Sequence, residues 1–264
     1  MLVLERQQKI KELLLKNKSV RVSDLGKMFK VSEETIRRDL NKLEEKGMIQ
    51  KNYGGAVLAE DFQTNPSILP IGHRQRQYYK EKQLIGKKAA EFIKADQTLI
   101  IDAGTTTWHV AKNLSAIDDL MIITNAMNIA EECTRNESNS IYLLGGKLRR
   151  NLLSTEGPQA EEELQKYNAD YVFLGTSGIS LRHGFTSSDL YEAKMKKTMV
   201  LAAKKRIVLA DHSKLKRAGL ISFCNFEEVD TFVTSDLADE NILYEIEKLG
   251  VEIIVVSTKE ENIH

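Results

Sequence analysis

Seven short apolar runs recur along residues 99–256: Leu99-Ile100-Ile101, Met121-Ile122-Ile123, Ile141-Tyr142-Leu143-Leu144, Tyr171-Val172-Phe173-Leu174, Ile207-Val208-Leu209, Thr231-Phe232-Val233 and Ile253-Ile254-Val255-Val256. Runs of this kind suit the strands of a buried, largely parallel sheet. Helical segments lie between most of them, including Gln159 to Lys166, Leu190 to Ala203 and Glu240 to Leu249. The pattern predicts an α/β class with a doubly wound, largely parallel C-terminal domain.

Ligands of such sheets bind beyond the carboxyl ends of the strands. The first run ends in Asp102-Ala103-Gly104-Thr105-Thr106-Thr107 and passes into a helix at Trp108. Gly104 lets the backbone turn closely, and threonine hydroxyls with the free N–H groups of a helix start suit a phosphate. The same residues also suit a capped turn with solubilising threonines, and on chemistry alone the two readings are level. Later runs end in Thr124-Asn125, Gly145-Gly146-Lys147, Gly175-Thr176-Ser177-Gly178 and Asp211-His212-Ser213-Lys214. Together they offer small residues for close approach, amides and hydroxyls for sugar hydroxyls, and lysines for an anion. No Walker lysine follows Gly104 and no GxGxxG is present, which speaks against a nucleoside triphosphate or a dinucleotide. Glu192, Lys194, Lys196 and Lys197 share a helix; Lys194 and Lys197 read as a solvated face, Glu192 and Lys196 as site candidates.

The first 58 residues have a different texture. Leu2 to Leu15 carries Ile10, Leu13 and Leu14 at helical spacing; Ser23 suits a cap for a second helix with Leu25, Met28 and Phe29 inward, and Val31 in the turn. Ser32 caps a third, with Glu33 and Glu34 in its first turn, where the helix dipole favours negative charge. Ile36, Leu40 and Leu43 share one face of it and leave Arg37, Arg38 and Asn41 outward. Gly47 ends that helix, and Asn52-Tyr53-Gly54-Gly55 forms a tight hairpin. Helix, turn, recognition helix and wing follow in the order of a winged helix-turn-helix.

Charge divides the chain at the same place. Residues 1–58 hold 13 Lys+Arg against 8 Asp+Glu, while the remainder holds 25 against 30, so the formal neutrality of the whole conceals a basic end. A basic end is where phosphate contacts of a duplex would be made. Residues 59–75 lack periodicity and hold Asn65-Pro66, Pro70 and Gly72, an extended linker; the sensor domain is expected over 76–264, entered by a helix near Glu81 to Ile93. No run of eighteen apolar residues and no signal-peptide pattern occurs, which leaves no membrane partner and a cytoplasmic location as the expectation. Cys133 and Cys224 read as buried small hydrophobes, and the five histidines show no paired metal-ligand spacing. Neither a metal nor a cofactor is expected.

Arg6-Gln7-Gln8-Lys9-Ile10, followed by Ser32-Glu33-Glu34-Thr35-Ile36-Arg37-Arg38-Asp39-Leu40, Leu43-Glu44-Glu45-Lys46-Gly47 and Tyr53-Gly54-Gly55-Ala56, resembles the N-terminal signature of the DeoR family of bacterial transcriptional regulators. The Asp102–Thr106 loop, Gly145-Gly146, Gly175 to Gly178, the Glu192/Lys196 helix and Asp211/Lys214 match segments of that family's sensor domain. The chain departs from the family at Ser213-Lys214-Leu215-Lys216, where many relatives run Ser-Lys-Phe-Gly, and at His212, often Ser. The resemblance implies a sensor fold similar to ribose-phosphate isomerases and glucosamine-phosphate deaminases, with a phosphorylated sugar as effector.

The expected function is a DNA-binding regulator, a repressor of a sugar or polyol operon relieved by a phosphorylated sugar and acting as a homo-oligomer, dimer or tetramer. Arg6, Ser23, Ser32, Thr35, Arg37, Arg38, Asn41, Lys51 and Tyr53 are the candidate contacts to operator DNA. Asp102, Gly104, Thr105, Thr106, Thr107, Asn125, Gly145, Gly146, Thr176, Gly178, Glu192, Lys196 and Lys214 are the candidate effector contacts. The alternative is a sugar-phosphate isomerase or deaminase with an appended DNA-binding domain and Asp102, Glu192 or Asp211 as base. Nothing in the sequence marks the acid–base pair that such an enzyme needs.

Overall fold

Ile10 and Leu14, one helical turn apart, set the inward face of the first helix in a computed structural model that describes residues 3–44, 49–58, 71–215 and 217–259. The chain divides into two compact units, Met1–Leu69 and Pro70–His264.

The first unit runs α1 (Val3–Asn17), β1 (Ser19–Arg21), α2 (Val22–Phe29), α3 (Glu33–Glu44), β2 (Ile49–Asn52) and β3 (Gly55–Leu58). Ile10, Leu14, Val22, Leu25, Ile36, Leu40, Leu43, Ile49 and Ala56 form its core. Lys30, left-handed at φ 53°, turns the chain between α2 and α3, and Ser32 Oγ accepts from Thr35 N–H at 3.2 Å to start α3. Gly54, at φ +84°, makes the two-residue turn that pairs Asn52 with Gly55. A Cβ on Gly55 would lie 2.2 Å from the Val20 carbonyl, because β1 joins the hairpin as a third antiparallel strand in the order β1-β3-β2. The sequence did not announce that strand. Ser23 does not cap α2, which begins a residue earlier behind Arg21, and Met28 is exposed rather than inward. The expected helix end at Gly47 lies outside the described residues.

The second unit opens with α4 (Ile71–Arg76) and α5 (Tyr79–Ala90). Residues 71–75 were read as linker, yet they are helical; 59–70 lie outside the described residues. There follow β4 (Thr98–Ile101), α6 (Thr107–Asn113), β5 (Met121–Thr124), α7 (Met127–Cys133), β6 (Ser140–Leu143), β7 (Lys147–Arg149), β8 (Ser154–Glu156) and α8 (Pro158–Leu164). The chain continues with β9 (Ala169–Gly175), β10 (Gly178–Ser180), β11 (Gly184–Ser187), α9 (Leu190–Leu201), β12 (Ala203–Leu209), β13 (Ile221–Cys224), β14 (Thr231–Ser235), α10 (Glu240–Glu247) and β15 (Glu252–Val256).

The seven apolar runs are the seven strands of one sheet, ordered β15-β14-β12-β9-β4-β5-β6, and every neighbouring pair is parallel. The interior strands bury their apolar runs because both faces are covered, while the edge strands β6 and β15 stay partly exposed. Ile100, Ile123, Val172, Leu174 and Val208 pack with residues of α8, α9 and α10. Leu99, Ile101, Ile122, Phe173 and Leu209 pack on the other face with residues of α5, α6 and α7. Gly86 allows α5 to approach α6, since a Cβ there would stand 2.4 Å from His109 Cβ. Two small antiparallel additions escaped the sequence reading: the β7–β8 hairpin and the sheet β10-β11-β13. Among the described residues no helix is long and apolar enough to cross a membrane.

From β4 the chain winds outward through β5 and β6, then returns to lay β9 on the other side of β4. The order reverses there, so a crevice opens beyond the carboxyl ends of β4 and β9.

Candidate nucleic-acid interface and ligand cleft

On α3 the core takes Ile36, Leu40 and Leu43 and leaves Arg37, Arg38 and Asn41 exposed. Arg37 Nη2 lies 3.3 Å from Glu33 Oε2 and Arg38 Nε 3.6 Å from Glu34 Oε1, both one turn back along the helix. Lys51 Nζ, from the wing, donates to Asn41 Oδ1 at 2.8 Å and lies 2.8 Å from Glu44 Oε2. Tyr53 stands fully exposed at the hairpin tip. Ser32 and Thr35 share a 2.9 Å hydroxyl hydrogen bond within the cap, and exposed Ser23 lies beside Asp24.

Arg6 does not belong with these residues. It is 5 % exposed, and its Nε donates to Asp39 Oδ2 at 2.6 Å while Gln7 Nε2 donates to Asp39 Oδ1 at 2.8 Å. A guanidinium held inside by a buried carboxylate has no reach to a DNA backbone, so Arg6 is a structural residue that fixes α1 on α3.

In the second unit the crevice is a small cleft lined by Arg74, Ala103, Gly104, Thr105, Thr106, Gly175, Thr176, Glu192, Lys196, Leu209 and Lys214. Three cations and one carboxylate therefore face it. Lys196, 1 % exposed, comes from α9 and donates to Asp102 Oδ2 and to the Gly175 carbonyl at 3.0 Å. Asp102 Oδ2 also accepts from Gly175 N–H at 2.9 Å, which ties the ends of β4 and β9 together. Burial pushes the Asp102 carboxyl above its ordinary value, with the Lys196 ammonium pulling the other way. Glu192 sits one turn before Lys196, its Oε1 3.6 Å from Nζ and its Oε2 accepting from Ser188 Oγ at 2.8 Å.

Lys214 follows β12, and burial pulls its ammonium down to about 7 against the attraction of Asp211. Lys82, from α5, is pulled down to about 8 by burial and stands 3.8 Å from Asp211 Oδ2. Burial alone would raise Asp211, but Lys214, Lys82 and hydrogen bonds from Ser213 bring it below the ordinary carboxylate value.

Of the thirteen effector candidates, Gly104, Thr105, Thr106, Thr176, Glu192, Lys196 and Lys214 meet in the cleft, and Asp102 stands behind Lys196. The other five do not line it. Thr107 Oγ1 donates to the Asp102 carbonyl at 2.6 Å, and Asn125 Nδ2 to the Thr155 carbonyl at 2.9 Å. Gly145 N–H donates to Glu163 Oε2, and a Cβ on Gly146 would stand 2.8 Å from the Glu156 carbonyl. A Cβ on Gly178 would stand 2.4 Å from the Arg217 carbonyl, and its own carbonyl accepts from Thr176 and Thr186 hydroxyls. Gly146 and Gly178 serve backbone packing. Lys194 is exposed, and Lys197 pairs with Glu228.

The reading of the sequence missed Arg74, which reaches the cleft from α4. Its stretch lacks periodicity, and no local signal points from it to a strand end. Cys133 and Cys224 are free and buried, and burial pushes both thiols up to about 12, far from reactivity. Among the described residues no group of three His, Cys, Asp or Glu is placed to hold a metal.

Comparison with known proteins follows the same division. Residues 6–62 match the DeoR-like helix-turn-helix domain and residues 77–236 the DeoR C terminal sensor domain. The HTH-type transcriptional regulator YulB of Bacillus subtilis is 36% identical, covering 97% of this chain and 98% of its own. The HTH-type transcriptional repressor GlcR of Bacillus subtilis is 34% identical, covering 97% of this chain and 97% of its own. Among solved structures, the full-length sorbitol operon regulator SorC from Klebsiella pneumoniae aligns with a TM-score of 0.42 at 10% identity, over 92% of this chain and 98% of that one.

Proposed function

The chain belongs to the DeoR family of helix-turn-helix transcriptional regulators, and from that premise we propose that it represses a sugar or polyol operon until a phosphorylated sugar occupies the β4/β9 cleft. The observation that carries this reading is the lining of the cleft, with Arg74, Lys196 and Lys214 against Glu192 alone, beside the Thr105-Thr106 loop. A guanidinium, ammonium groups and loop hydroxyls converging on one cleft suit a phosphate, and charge-assisted hydrogen bonds hold it in place. The relative named as a repressor supports the sign of control.

Arg37, Arg38 and Asn41 enter the major groove, while Lys51 and Tyr53 of the wing meet the backbone, with Ser23, Ser32 and Thr35 at the edge of the same face. Two half-sites call for two winged helices, hence a homo-oligomer, dimer or tetramer, working on DNA in the cytoplasm. Binding rather than turnover is the role of the cleft. Asp102 is engaged by Lys196 and Gly175, Glu192 by Ser188 and Lys196, and Asp211 by Ser213 and Lys82. Asp102 and Glu192 are thus committed to cations and hydrogen-bond donors, while Asp211 keeps one oxygen, Oδ2, without a hydrogen bond at 3.8 Å from Lys82.

A thermal-shift panel of phosphorylated sugars and polyols, repeated with Thr105→Lys, tests the proposal. One compound is expected to stabilise the wild type by about 2.7 kcal/mol at a hundredfold its dissociation constant. Thr105→Lys should lose that response and keep DNA binding. Turnover of any compound, or an undiminished response in Thr105→Lys, would overturn it.

A further inference from the structure

α4 is held differently from the other α-helices of its unit. Each of those buries apolar side chains, whereas none of the described side chains of α4 belongs to either core. A helix of six residues is too short to persist in water by itself. Among the described residues its anchors are polar: Ile71 N–H donates to the Asn151 carbonyl at 3.0 Å, and Lys82 Nζ to the Arg74 carbonyl at 2.6 Å. The Arg74 side chain then lines the cleft. Glu192, Asp102 and Asp211 attract that guanidinium from a distance, and Arg149 opposes them. No ion pair joins it to any of the three carboxylates, each of which has other partners. A planar fork with five donors thus sits among groups already committed elsewhere, in a cleft rich in positive charge.

We propose that Arg74 contacts the bound anion directly, and that this contact pins α4, so that occupancy of the cleft acts on the chain N-terminal to it. The proposal rests on the phosphate reading of the cleft. An anion gripped by Arg74 binds better when α4 is docked, so it shifts α4 toward the docked state by that difference in affinity. By the same linkage, a docked α4 raises affinity for the anion. In sequence, α4 is the first described element after the winged helix.

The test uses full-length protein and inorganic phosphate at constant ionic strength, read by calorimetry and by hydrogen exchange of the amides of residues 71–76. Arg74→Gln should weaken phosphate binding about tenfold to a hundredfold, the effect of losing a charge-assisted contact. Arg74→Lys, which keeps the charge without the fork, should fall between. Phosphate should slow exchange across α4 in the wild type and leave it unchanged in Arg74→Gln, with unaltered exchange in β4 and β9 reporting an intact fold. If Arg74→Gln binds within threefold of wild type while Thr105→Lys does not bind, the Arg74 assignment falls and the cleft reading stands. Unchanged α4 exchange in phosphate-saturated wild type would remove the coupling. A wild type that takes up no phosphate would overturn both readings together.

Discussion

Replacing Asp39 by alanine should unfold the winged helix and spare the sensor unit. Asp39 is 3 % exposed and accepts two side-chain hydrogen bonds, from Arg6 and Gln7, which are themselves 5 % exposed. Removing the carboxylate leaves a buried guanidinium and a buried amide without an acceptor. A hydrogen bond to a charged group contributes about 1.5–3 kcal/mol, so two come to roughly 3–6. Breaking a buried ion pair from one side costs about 3–5 kcal/mol, which agrees. At about 0.05–0.15 kcal/mol per residue, a unit of roughly sixty residues has only some 3–9 kcal/mol in hand. Calorimetry of the full chain should therefore show the winged-helix transition lowered or absent, with the sensor transition unmoved and DNA binding lost. The double variant Arg6→Met/Asp39→Leu, which removes both charges and leaves only the Gln7 amide without its acceptor, should recover part of the stability. A loss below about 1 kcal/mol, the range of an exposed pair, would refute the buried-pair reasoning.

Three further outcomes follow from the geometry of the recognition helix and of the cleft. Arg38→Ala should cost about 1–3 kcal/mol of binding on the preferred operator and less on unrelated duplex, measured by competition; equal losses on both would reduce Arg38 to a phosphate contact. Sulfate keeps its charge across neutral pH, so its affinity for the cleft should fall as pH rises through about 7, where Lys214 gives up its proton, and Lys214→Met should flatten that profile. The stability of the ligand-free protein should run the other way: above about 7 the unfolded chain still binds a proton on Lys214 and the native state does not, so this residue's contribution rises with pH until the lysine's unperturbed value of 10.5.

What could be read from the sequence follows from which forces act locally. The interior strands of the sheet were legible because burial on both faces leaves a continuous apolar run, and the edge strands β6 and β15 because they keep such a run while partly exposed. Ser154–Glu156 offers no such run, yet all three of its residues are buried in a local hairpin that is also bonded to Asn125, 30 positions away. Arg6 looks like any helix-surface base until its partner, 33 positions away, is in view. Lys196 is set apart from the solvated Lys194 in the sequence, but its partner Asp102, 94 positions away, comes into view only in the fold. Glycine is ambiguous in principle, because close approach of a ligand and close approach of backbone demand the same missing Cβ. Gly104 lines the cleft, whereas Gly146 and Gly178 make room for carbonyls. Arg74 was obscured because its six-residue helix has no apolar stripe to announce it.

The cations of the DNA face come with carboxylates already beside them: Arg37 with Glu33, Arg38 with Glu34, Lys51 with Glu44. Off DNA, that surface is largely self-neutralised, despite the basic balance of the unit. Engaging a duplex is then an exchange of partners, in which each base or phosphate must displace an internal carboxylate. Random sequence, offering phosphates alone, gains little from the exchange, while a matched site adds base-edge contacts that repay it. The salt dependence of binding should consequently be shallower than a count of basic side chains implies, since fewer counterions stand to be released. With the proposed docking, the glutamates at the start of the recognition helix would act as a threshold against idle occupancy of the genome, raising the ratio of operator to background binding without touching the operator.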